Sequence, residues 1–334
     1  MAIKNLFASS LFLLALVAGI FAVSGLAEAQ IFDDSRPLEA LSSQGEGGEG
    51  PAWDPEIGLL TSGKGGICRR TAEGESSIFR ADAGTNGLLF DRQGRLIACE
   101  PGQLRVTRMS RDGKLEVLTD QFGGKKYNQP NDLCLDSQGR IYFSDPRYGG
   151  REGMEQLDEQ GRTIEGVYRI DLDLKVTRIL GREVERANGV LISPDDKYLF
   201  VADNANNTEG GARKLWRFEL DQFGMVKKGT GKVLYDWGKG RGPDGLKQDR
   251  AGRLYVAAGS NRSVPPFEPD SSFKGGVYVF DVDGKLLAYR NIPTDEVTNC
   301  AFGGKDLKDL YVTGGGVLYR LRTIEAGVVT WPAK

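Results

Sequence analysis

Histidine is missing altogether from this 334-residue chain. Its absence excludes Ser-His-Asp and Cys-His nucleophile systems, histidine-ligated zinc and an imidazole general base. Cysteine is scarce. The four residues, Cys68, Cys99, Cys134 and Cys300, form no Cys-x-x-Cys pair, which argues against zinc or thiol redox chemistry. Cys134 and Cys300 fall in apolar runs and read as small buried hydrophobes, while a disulfide between Cys68 and Cys99 stays open. An excess of one charge is lacking too: 44 basic and 46 acidic residues are interspersed, and no basic stripe points to nucleic acid. Chemistry must therefore come from carboxylates, lysine, tyrosine, hydroxyls or a metal held by oxygen.

The one long apolar run is at the start. Lys4 precedes an almost wholly apolar stretch from Leu11 to Phe21, and Ala27-Glu28-Ala29 has the small-x-small form of a cleavage site. Residues 1–29 read as a secretory signal, with export to the periplasm or medium and no membrane attachment after cleavage. Residues 30–48 are a polar, Gly-rich arm. Gly45 to Gly50 spells G-x-G-x-x-G, but no strand precedes it and no helix pattern follows, so it is not a dinucleotide site.

From Trp53 onward the pattern is strands without helices. Asn131 to Asp145 joins a polar residue, a short apolar strand, a Gly-containing turn and a β-branched, aromatic strand, which is a hairpin signature. Copies follow Glu49, Asn86, Asn188, Asp244 and Asn299. Their turns start at Asp54, Asp91, Asp136, Ser193, Asp249 and Gly304, in steps of 37, 45, 57, 56 and 55 residues. Secondary period-2 strands such as Gly166–Asp171 and Gly276–Asp281 lie between them. Repeats of this length are four-stranded propeller blades with variable loops, so residues 49–334 read as one all-β, six-bladed β-propeller, closed by a strand borrowed from one terminus.

Five residues before each turn stand Glu49, Asn86, Asn131, Asn188, Asp244 and Asn299, every one with a side-chain oxygen. Equivalent blades bring these to one level around the axis, where convergent oxygens suit a hard cation. Two carboxylates facing each other across a channel repel unless something cationic lies between them. The competing reading is a polar, water-filled channel in which Asn before Gly forms turns, and it weighs most on Asn86 and Asn299. Insertions at 147–165, 204–213 and 264–274 follow second strands, so they return to the face carrying the oxygens and should roof it.

The segments Glu49-Gly-Pro-Ala-Trp53, Pro130-Asn-Asp132, Ala187-Asn-Gly189 and Pro243-Asp-Gly245 resemble the gluconolactonase, senescence-marker-protein and luciferin-regenerating-enzyme family. So do Cys99-Glu-Pro-Gly102, Tyr142-Phe-Ser-Asp-Pro146 and Thr298–Gly304. The resemblance runs from Glu49 to about Arg322. It implies a six-bladed propeller with one divalent cation in the central channel, calcium first and zinc, manganese or magnesium as alternatives. It also implies Glu49, Asn188 and Asp244 as metal ligands, Asn131 beside metal and substrate, and a lactone as the small-molecule substrate. Gln129 stands where some members have a sugar-holding Arg, and Pro101 where many have His. The expected chemistry is lactone hydrolysis, with the cation polarising the carbonyl and Asp244 as general base. Gln129, Tyr148, Arg147 and Asn204, with Asp203, are pocket candidates. A metal-dependent esterase or phosphotriesterase, or a non-catalytic ligand-binding propeller, would use the same scaffold.

Overall fold

The computed structural model describes residues 30–331. The expected signal segment lies outside them. Each hairpin copy forms the inner half of a four-stranded antiparallel sheet. The first blade comprises Glu49–Asp54, Gly58–Gly63, Gly66–Arg70 and Ser76–Ala81. The second comprises Leu88–Phe90, Leu96–Glu100, Arg105–Met109 and Leu115–Thr119. Leu133–Leu135, Ile141–Ser144, Val167–Ile170 and Val176–Leu180 make the third. Ala187–Ile192, Tyr198–Asn204, Arg213–Glu219 and Lys232–Asp236 make the fourth. The fifth is Pro243–Gln248, Leu254–Ala258, Gly276–Phe280 and Leu286–Asn291.

In the sixth blade Val297–Gly303, Asp309–Gly314 and Val317–Arg322 supply only three strands. The fourth is Glu39–Ala40, whose residues pair with Arg320 and Tyr319. The N-terminal arm therefore closes the ring, and it does more than lead into the first blade. Ile31 and Phe32 are buried with Tyr255, Phe302 and Leu310 between the fifth and sixth blades.

The recurrent Asp-x-x-Gly-Arg turn has a physical cause. The carboxylate of Asp91 accepts the backbone N–H groups of Gln93 and Arg95 on one oxygen and the Arg95 guanidinium on the other, at 2.7 Å. Asp136 with Arg140 and Asp249 with Arg253 repeat this. The worn first copy has Gly58 in place of the arginine. There the second oxygen of Asp54 takes Arg111 at 2.6 Å and the Trp331 indole N–H at 2.7 Å.

The core is six apolar wedges, one between each pair of adjacent blades. All four cysteines are free and buried, so the Cys68–Cys99 disulfide does not form. The reason is direction: Cys99 packs in the wedge between the second and third blades, with its thiol 3.9 Å from the Asp132 carbonyl, facing away from the first blade.

Candidate active site at the neck of the channel

Glycine draws the strand starts together. A Cβ on Gly50 would lie 2.0 Å from the Asn86 carbonyl oxygen, and one on Gly87 would lie 2.7 Å from that of Asn131. One on Gly189 would lie 2.2 Å from the Asp244 carbonyl, and one on Gly245 would lie 2.0 Å from Asn299 Oδ1. The residue after four of the six polar groups is thus the place where the next blade passes, and a side chain at any of those four glycines would push the neck open. Asn299 Nδ2 reaches Glu49 Oε2 at 3.4 Å, and the Thr298 hydroxyl donates to the Gly48 carbonyl at 3.0 Å, joining the last blade to the first. The ladder is bulged between Glu49 and Ala52, Ala187 and Val190, Pro243 and Leu246, and Val297 and Asn299. Bulges at these places re-aim Glu49, Asn188, Asp244 and Asn299.

Electrostatics mark the same spot. Burial, reinforced by Asp244 and Asp132, lifts the proton affinity of Glu49 well above the carboxylate range. Burial also raises that of Asp244, opposed by Arg241 and reinforced by Asp132. Asp132 is raised by burial and eased by Lys247. Among the described residues no three Cys, Asp or Glu side chains are grouped closely enough to hold a metal by themselves. A cation here would need the amide oxygens as well.

Hydrogen-bond direction decides which amides can offer oxygen. The Tyr148 hydroxyl donates its one proton to the Asn204 carbonyl at 3.1 Å, so it must accept from Asn188, whose Nδ2 lies 2.8 Å away. Asn188 Oδ1 is left buried and without a partner. Asn299 is held the opposite way: its Oδ1 accepts the Cys300 N–H at 2.9 Å and faces the Lys247 ammonium at 3.5 Å. It therefore presents N–H, and not oxygen, to Glu49, which removes it from the six expected donors. Asn86 Oδ1 is also buried without a partner, and Asn131 is buried two residues before its strand.

The three insertions meet over this face, as their placement implied. Gln129 Oε1 accepts the Tyr148 N–H at 2.8 Å, and the Tyr148 ring lies under the buried Arg186 guanidinium, 5.4 Å from its centroid. Arg213 reaches the Phe267 carbonyl at 3.1 Å. Asn204 is fully buried, with neither side-chain atom bonded. Arg147 does not join the pocket through its charge, because its guanidinium bonds the carbonyls of Gly150 and Asn128. Asp203 is also committed elsewhere. It accepts the N–H groups of Glu185 and Arg186 and the Trp216 indole, as Asp145 accepts those of Asn128 and Gln129. Each holds the segment entering the inner strand of its own blade.

Sequence reasoning missed Arg241, Asp132 and Lys247. Arg241 Nη2 lies 3.5 Å from Asp244 Oδ2. Lys247 had a visible signal: it stands three residues after its blade's polar residue, where other inner strands carry Leu89, Cys134, Leu191 and Phe302.

These features define a six-bladed propeller with a carboxylate- and amide-lined neck at one end of its axis. The chain belongs to the SMP-30/Gluconolactonase/LRE-like family, whose defining region matches residues 47–316. A gluconolactonase of Zymomonas mobilis is 27% identical over 319 residues, spanning 88% of this chain and 83% of that protein. The solved structure of a gluconolactonase from Xanthomonas campestris superposes with a TM-score of 0.68 at 28% identity, covering 86% of this chain and 89% of that one. A calcium-binding regucalcin from Agrobacterium tumefaciens gives 0.65 at 19% identity, covering 86% and 94%, a likeness of fold alone.

Proposed function

We propose that this protein is an exported, metal-dependent lactone hydrolase acting on sugar or related lactones. The observation that carries the reading is the pair of facing carboxylates, Glu49 and Asp244, both with raised proton affinity, beside the unpartnered oxygen of Asn188. Those three donors are hard oxygens and fit a divalent cation, calcium first. When bound, it would neutralise the two carboxylates and polarise the lactone carbonyl.

The rest of the chemistry falls to the chain's own residues. Asp244 takes a proton from the attacking water as the new C–O bond forms. The ring C–O bond then breaks, and its oxygen takes that proton back from Asp244 and leaves as the hydroxyl of a hydroxy acid. Asn131 orients the substrate at the mouth. Tyr148 keeps the Asn188 oxygen turned inward, and the roof formed by the insertions limits water and shapes specificity. The gluconolactonase relatives support the substrate class.

The test is proton release from aldonolactones and simple lactones by the purified protein, with chelator and then with calcium, manganese, zinc or magnesium restored. Turnover should vanish with chelator and return with one metal. Asp244→Asn should lower kcat by roughly 10²- to 10⁴-fold with the fold intact. No turnover of any lactone with any of these metals would overturn the reading in favour of a binding propeller.

A further inference from the structure

We propose that Arg241 is a built-in competitor of the divalent cation, and that Glu268 on the 264–274 loop sets how strongly it competes. The inference rests on the cation reading given above. Arg241 is 8% exposed and is shared between two carboxylates, with Nη2 3.5 Å from Asp244 Oδ2 and Nη1 3.3 Å from Glu268 Oε1. Neither contact is a short fork, and Nε is buried with no partner. A guanidinium committed to one carboxylate makes two parallel bonds below about 3 Å. This one is held between two pulls.

Its anchors explain the balance. The Arg241 carbonyl accepts the Gly259 N–H at 3.2 Å. Pro243 stiffens the chain between Arg241 and Asp244. Glu268 is held from the other side, because Val264 and Glu268 exchange backbone hydrogen bonds of 2.6 and 2.8 Å and Arg213 grips the Phe267 carbonyl. Glu268 is 6% exposed, a fixed and buried counter-charge. Arg213, Tyr148 and Glu296 are the other titratable groups acting on Arg241. Arg213 spends its hydrogen bonds on carbonyls, so it does not replace Glu268 as a partner. The Asp244 charge seen by a cation is therefore what Arg241 leaves over, and the loop carrying Glu268 decides that remainder.

Two substitutions then act in opposite directions, which a merely structural pair would not do. Calcium affinity is read by calorimetry on chelator-stripped protein. Arg241→Gln should tighten binding roughly tenfold or more, since a full positive charge beside a ligand carboxylate is removed from a partly buried site. Glu268→Gln should weaken it, because the released guanidinium closes onto Asp244. The double variant keeps an amide pair in place of the ion pair and should bind like Arg241→Gln, so a folding defect of either single variant does not decide the matter. Wild-type binding with both Arg241→Gln and the double variant no tighter overturns the inference and leaves the cation reading standing. A wild-type protein that binds no divalent cation overturns both.

Discussion

Tyr148→Phe isolates one hydroxyl. The ring stays, and with it the stacking on Arg186 and the Tyr148 N–H to Gln129 Oε1. What is lost is the acceptor for Asn188 Nδ2 at 2.8 Å and the donor to the Asn204 carbonyl at 3.1 Å. Asn188 is 4% exposed and Asn204 wholly buried, so neither group regains water easily. Leaving a buried polar group unpaired costs about 1–3 kcal/mol. With partial relaxation a loss near 2 kcal/mol is expected, or about 3 °C in Tm at about 2.1 cal/mol/K of unfolding entropy per residue for a chain of this length. The functional loss should exceed this. Without the tyrosine oxygen the Asn188 amide loses the acceptor that holds its nitrogen end, and metal sites lose about 10- to 100-fold in affinity when the group orienting a ligand is removed. Calcium titration by calorimetry measures it directly. Asn188→Asp combined with Tyr148→Phe should restore binding, because a carboxylate offers oxygen whichever way it turns. A Tyr148→Phe protein that binds calcium within twofold of wild type would refute the orientation argument.

pH gives a second test. Glu49 and Asp244 both have raised proton affinity in the folded, cation-free chain, so each favours folding fully below its unfolded value near 4 and loses that contribution as pH rises through its raised folded value. Chelated protein should therefore lose Tm relative to calcium-loaded protein as pH climbs from about 5 to 8. Calcium affinity should rise over the same window with proton release, detected as a buffer-dependent binding enthalpy; a buffer-independent enthalpy would contradict it. Removing residues 30–41 strips the outer strand of the sixth blade and the buried Ile31 and Phe32. At about 1.5–3 kcal/mol for each buried side chain, a loss of about 3–6 kcal/mol follows, along with an exposed edge at Val317–Arg322 that should promote aggregation in size-exclusion runs. Unchanged melting would show that the arm does not close the ring.

The blades could be read in advance because each inner hairpin carries its own turn chemistry. Asp91, Asp136 and Asp249 bond their own turns and the arginine four residues on, so the motif is local and survives in sequence. Ring closure is not local. Glu39–Ala40 is two residues long and has no periodicity to detect, and its place is set only by the free edge of a strand at the far end of the chain. The sequence called for a borrowed outer strand but left open which terminus supplies it; the pairing of Glu39–Ala40 with Val317–Arg322 answers that. Cysteine pairing stayed open in the sequence for a similar reason. Adjacency of blades was visible, but the face towards which Cys99 points depends on its place in the wedge beside the third blade.

At the neck, residue type and spacing placed six oxygen-bearing side chains at one level, but they could not say which would present oxygen. Asn188 and Asn299 are the same residue at the same position of two blades, and only their partners separate them. Tyr148, forty residues before Asn188 and on another blade's loop, takes the nitrogen end of one amide and leaves its buried oxygen without a partner. The Cys300 N–H and Lys247 turn the other so that its nitrogen meets Glu49. An amide has a donor end and an acceptor end, so its role in a hard-oxygen site is settled by whatever grips it from behind. The same logic applies to Asp244. Its carboxylate was legible in Pro243-Asp244-Gly245, yet its share of negative charge depends on Arg241 and on a glutamate delivered by a loop that returns over the channel. Propeller repeats thus encode where the polar groups stand, whereas their contacts, from insertions at Asn188 and Asp244 and from neighbouring inner-strand residues at Asn299, determine the direction and charge with which those groups act.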